Sequence, residues 1–192
     1  MNTRLINLPE TLTITQEQFK KIATANRDLR LEKNAQGQLI IMPPTGGSTG
    51  KKNFYLAGQL FVWNERSQLG VAFDSSTAFQ LPNGANRSPD VAWIRKEKWE
   101  QLTPDEQDDF APLCPDFVIE LRSKTDSLKP LREKMQEYVE NGLKLGWLID
   151  PKGKTVEIYR ANGEVEILEH PLSLSGENIL PNCVMDLQKV FD

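Results

Sequence analysis

The stretch Pro115-Asp116-Phe117-Val118-Ile119-Glu120-Leu121 holds a glutamate inside an apolar run, and Ser88-Pro89-Asp90-Val91-Ala92-Trp93-Ile94 opens a second such run with an aspartate. Both runs read as buried strands. Alternation puts Asp116, Val118 and Glu120 on one face and Phe117, Ile119 and Leu121 on the other, while Asp90 shares a face with Ala92 and Ile94. Desolvating a carboxylate costs several kcal/mol or raises its pKa unless something offsets the charge. If the strands pair, the two acids converge on one point. A divalent cation and a lysine would offset them, and that combination supports phosphodiester hydrolysis. The competing reading leaves both acids at strand ends facing solvent.

Upstream, Thr15-Gln16-Glu17-Gln18 has capping-box spacing and predicts a helix over about 15–28. Leu29–Lys33 alternates, Asn34-Ala35-Gln36-Gly37 turns and Gln38–Met42 returns, which is a hairpin. The stretch 43–50 reads as a proline- and glycine-rich loop, followed by a helix over 51–68 carrying Phe54, Ala57, Leu60, Phe61 and Trp63. Strands follow at 71–74 and 78–81, then a turn into the Asp90 run. Thr103-Pro104-Asp105-Glu106 starts a short surface helix.

Downstream of Glu120, a helix runs from Leu128 to Asn141 and closes at Gly142. Leu145–Ile149 is a continuous apolar strand, and Thr155–Tyr159 with Glu164–Leu168 forms a late hairpin. The order is helix, three or four strands, helix, strand. The expected class is α/β, with a central mixed sheet flanked by helices, an N-terminal helix and hairpin over 1–48, and a core domain over 49–192 that ends in a hairpin.

Composition narrows the chemistry. The 192 residues are 39% hydrophobic and 26% charged, as expected for one globular domain. A net charge of -4 argues against a basic nucleic-acid coat protein but leaves room for an enzyme that holds its metal with acids. His170 is the one histidine, so a multi-histidine zinc site is excluded. Cys114 and Cys183 lack zinc-site spacing and read as reduced thiols. No stretch has the length of a signal peptide or membrane span, so a cytoplasmic protein without a membrane partner is expected. Gly46-Gly47-Ser48-Thr49-Gly50-Lys51-Lys52 fails as a phosphate-binding P-loop, because Thr45 stands where its first glycine belongs and Lys52 where its hydroxyl belongs.

Pro89-Asp90 followed by Glu120 on an apolar strand, in this order of elements, resembles the PD-(D/E)XK nuclease superfamily with its αβββαβ restriction-endonuclease-like core. More specifically, Ser88–Val91, Pro115–Ser123, Lys134–Tyr138, Asn141-Gly142 and Trp147–Pro151 resemble the Uma2 family of restriction endonucleases. The resemblance implies a metal-dependent endonuclease that cleaves DNA with Mg2+ or Mn2+, with Asp90 and Glu120 as metal ligands. Two residues after Glu120 the simple motif has a lysine, where this chain has Arg122, a group too basic to shuttle protons. The family draws its lysine from the next helix, which makes Lys134 the expected third catalytic group; Lys124 and Arg122 are the alternatives. Glu32 is a further acid that the resemblance brings toward the metal. A homodimer follows from the need to cut two strands. The alternative function is an inactive nuclease-fold protein serving as a DNA-binding or assembly module.

Overall fold

The computed structural model describes the backbone of Arg4–Ile6 and all of residues 13–192. Strand β1 is Arg4–Ile6. Helix α1 (Gln16–Ala25) starts on the expected capping box, Thr15 and Gln18 each bonding the other's backbone. Strands β2 (Arg30–Lys33) and β3 (Leu39–Met42) form the expected hairpin. Helix α2 (Gly47–Ser67) follows. It takes in 47–50, which the sequence reading assigned to a loop. Glycine, serine and threonine are tolerated in a first turn, whose N–H groups have no intrahelical partner in any case.

Next come β4 (Gly70–Asp74), β5 (Phe79–Gln80), β6 (Asn86–Arg87), β7 (Val91–Arg95), α3 (Lys96–Trp99) and α4 (Pro104–Asp108), the last with its capping box formed. After β8 (Phe117–Leu121) the chain crosses over through α5 (Leu128–Glu140) to β9 (Leu145–Asp150). The hairpin β10 (Thr155–Arg160) and β11 (Val165–Glu169) follows, then β12 (Ser173–Ser175), β13 (Val184–Asp186) and α6 (Gln188–Phe191).

Six strands make the central sheet in the order β11-β10-β9-β8-β7-β4. Only β8 and β9, joined by α5, run parallel, so the sheet is mixed. Leu56 and Leu60 of α2 pack with Val91, Trp93, Phe117 and Ile119 on one face. Met135 and Tyr138 of α5 pack with Ala92, Ile94, Val118 and Leu148 on the other. A second sheet, β1-β3-β2-β6-β5, gathers the N-terminal hairpin with the segment that leads to Asp90.

Helix α5 sits close to the central sheet over Gly146. A Cβ there would lie 2.5 Å from the Met135 Cε and 2.8 Å from a Leu143 methyl. Gly146→Val should therefore destabilise the fold by about 1–3 kcal/mol through overpacking. Urea unfolding measures this, and an unchanged midpoint would show that α5 can move away at little cost.

Candidate active site

The strand register brings the two acids together. Pairing of β7 with β8 sets Val91 against Ile119, Ala92 against Val118 and Trp93 against Phe117. One step further along, Asp90 lies opposite Glu120. Opposite residues of an antiparallel pair share a face, with Cβ atoms roughly 4.5–5.5 Å apart. That face is the one covered by α5.

Asp90 is fixed from two sides. Its Oδ2 accepts the Leu121 backbone N–H at 2.9 Å, and its Oδ1 accepts the Asn53 side-chain amide of α2 at 3.0 Å. Burial raises its pKa; the Leu121 N–H, Lys134, Arg30 and Asn53 offset this only in part. Burial pushes Glu120 up to about 7, with Lys134 pulling it down and the charges of Asp90 and Glu32 pushing it further up.

Lys134 reaches this point from α5. Its Nζ is 2.7 Å from the Glu120 Oε1 and 2.8 Å from the Glu32 Oε1, and only 11% of its side chain is exposed. Burial lowers its pKa, but Glu120 and Glu32 more than compensate, and the net shift is upward. The lysine is held as an ammonium ion. One turn on, the Tyr138 hydroxyl donates to the Glu120 Oε1 at 3.1 Å, and its ring lies 5.8 Å from the lysine nitrogen. Burial raises the phenol well above its ordinary value, so it acts as a donor.

Glu32 arrives from the smaller sheet. It accepts the Ser88 N–H at 2.9 Å and the Arg87 guanidinium at 3.1 Å as well as Lys134. Burial opposes its charge, yet Lys134 and Arg87 hold its pKa below the ordinary value. Arg87 in turn binds Glu137 of α5 at 2.5 Å. The other candidates for a third catalytic group are elsewhere. Arg122 binds the Asp150 carboxylate at 2.7 Å and the Asp126 carbonyl at 3.0 Å, and Lys124 is exposed.

Glu32, Arg87, Asp90, Glu120, Lys134 and Glu137 line a cleft of about 880 Å³. Arg30, Arg87 and Lys134 are its cations, against Glu32, Asp90, Glu120, Asp126, Glu133 and Glu137. The Arg30 Nε is buried and has no hydrogen-bond partner. An acid excess in which burial leaves the charges of Asp90 and Glu120 incompletely offset suits a hard cation. Among the described residues no three histidine, cysteine, aspartate or glutamate side chains gather to hold an ion, so Glu32 does not complete a three-acid cage. Magnesium fits a two-carboxylate site of this kind, because it keeps several waters and takes few protein ligands.

Tyr138, one helical turn after Lys134, reads from the sequence as a core tyrosine or a cover for the lysine stem, and its bond to Glu120 was not legible because it depends on a distant strand. The sequence offered no sign of Asn53 or of the Arg87–Glu137 link, the latter joining segments far apart in the chain.

The raised pKa of Glu120 has a measurable effect. Between its ordinary value of 4.5 and about 7, the folded chain keeps a proton that the unfolded chain has released. Its stabilising contribution is fully present below that window and lost as pH rises through it. Glu120→Gln should flatten this dependence in urea titrations run from about pH 5 to about pH 8. An unaltered slope would mean that Glu120 ionises normally.

The mixed sheet flanked by helices is a fold shared with a solved structure. The crystal structure described as a putative nuclease belonging to DUF820, from Anabaena variabilis, superposes with a TM-score of 0.77 at 20% identity, covering 93% of this chain and 97% of that one. The family model Uma2, described as "Putative restriction endonuclease", matches residues 16–188. The chain belongs to the Uma2 family. No curated protein matches the sequence.

Proposed function

We propose that the chain is a cytoplasmic, Mg2+- or Mn2+-dependent endonuclease that hydrolyses phosphodiester bonds in DNA. The observation that carries this reading is the placement of Asp90 opposite Glu120 across β7 and β8, with the Lys134 ammonium 2.7 Å from the second acid in an open cleft. Asp90 and Glu120 would hold the ion, which when bound supplies an activated water and neutralises charge on the phosphate.

The chain's own groups do the rest. Lys134 has three N–H donors; two point to Glu120 and Glu32, and one is left for the attacking water or a phosphate oxygen. Because it stays charged, Lys134 orients the nucleophile and stabilises developing negative charge, rather than removing a proton. Asn53 and the Leu121 N–H fix the Asp90 carboxylate, and would hold it in place for an ion. Arg30 lines the cleft, and its guanidinium would take a phosphate oxygen of the substrate.

Incubation of the purified chain with supercoiled, linear and single-stranded DNA, with Mg2+, Mn2+ or a chelator, tests the reading. Cleavage that needs the ion and is lost in Asp90→Ala supports it. If no DNA form is cut with either ion, the proposal fails.

A further inference from the structure

We propose that two copies of the chain pair through the outer face of α2, crossing antiparallel about a twofold axis at Gly58. That face is apolar and in solvent: Phe54 is 81% exposed, Phe61 57% and Val62 46%. Beside it a groove of about 790 Å³ runs between α2 and residues 182–184, with Trp63 and Val184 in its walls; Val184 is 66% exposed. Apolar surface of this kind, in one continuous strip, marks an interaction site.

The pattern along the helix identifies the occupant as a second copy. Lys51 stands seven residues before Gly58 and Glu65 seven after; Phe54 and Val62 stand four before and four after; Tyr55 and Phe61 stand three before and three after. Offsets of three, four and seven keep side chains on one helical face. A twofold axis through Gly58 therefore sets Lys51 against the partner's Glu65, Phe54 against the partner's Val62, and Tyr55 against the partner's Phe61. Each contact occurs twice, as an isologous interface requires. A parallel pairing would instead bring Lys51 next to its own copy. Both Lys51 and Glu65 are exposed, and neither has an ion-pair partner among the described residues.

Gly58 itself supports the crossing. Glycine in a helix interior costs about 1 kcal/mol relative to alanine. Within the protomer nothing requires it, since a Cβ there would meet no atom within 4 Å. Close approach of a second backbone does require it. The opposite face of α2 packs Leu56 and Leu60 on the sheet and sends Asn53 to Asp90, so the pairing leaves the cleft open. The inference does not depend on the nuclease reading.

Sedimentation velocity on the full chain should give a dimer, and Phe54→Asp or Val62→Asp a monomer with an unchanged melting curve. Lys51→Glu and Glu65→Lys should each weaken the dimer about tenfold or more, and the double variant should restore it. Gly58→Leu should abolish the dimer, because its side chain would stand between the crossing backbones while its Cβ would meet nothing within the protomer. A chain that stays monomeric, a dimer indifferent to Phe54→Asp or to Gly58→Leu, or charge reversals that do not compensate would each overturn the proposal.

Discussion

Glu120→Ala is expected to slow metal-dependent DNA cleavage by about a thousandfold or more, the rate equivalent of several kcal/mol of transition-state stabilisation from a correctly held ion. The loss should reside in the chemical step, because Glu120 lies 4% exposed at the floor of the cleft, against Lys134 and where the proposed ion would sit. Single-turnover rates at saturating Mg2+ separate it from weakened DNA binding. Glu120→Gln keeps the shape and can still accept from Tyr138, so an equally inactive glutamine variant would locate the effect in the charge. A variant as fast as the parent would remove Glu120 from the mechanism.

Lys134→Ala should have a different effect, a loss of about 3–5 kcal/mol of stability added to the loss of activity, as for a buried ion pair stripped of one partner. The side chain serves Glu32 and Glu120 at once, and both acids are buried, at 2% and 4% exposure. Acid should partly rescue the variant, because protonating the two carboxylates removes the uncompensated charge. Urea unfolding of parent and variant at two pH values measures both effects. A drop under about 1 kcal/mol would mean that Arg87, Ser88 and Tyr138 satisfy the acids unaided.

The order of the longer helices and strands was legible because it rests on local signals, whereas the short β6, α3, β12, β13 and α6 were not read. The capping boxes at Thr15 and Thr103, the alternation of 29–33 and the apolar runs around Asp90 and Glu120 each act over a few residues, and each element stands where those signals put it. The face shared by Asp90 and Glu120 also followed from alternation, once the two strands were taken to pair. What the sequence hid was long-range. Nothing local tells that β2 and β3 join β5 and β6 in a separate sheet, or that Asn53 turns inward to Asp90 while its neighbour Phe54 faces solvent. The first turn of α2 was missed because Gly46-Gly47-Ser48-Thr49-Gly50 has loop composition. Helix propensity is a weak prior that tertiary packing overrides.

Glu32 comes from the smaller sheet and Lys134 from the helix over the larger one, and Arg87 and Glu137 repeat that link beside them. The site is thus shared between two sheets. A shortened chain that began at α2 would retain Asp90, Glu120 and Lys134 but lose Glu32, the second of the two acids that hold the lysine. The N-terminal hairpin is for this reason part of the candidate site, and transplanting the six-element core without it would move Asp90 and Glu120 but leave the lysine tethered from one sheet instead of two.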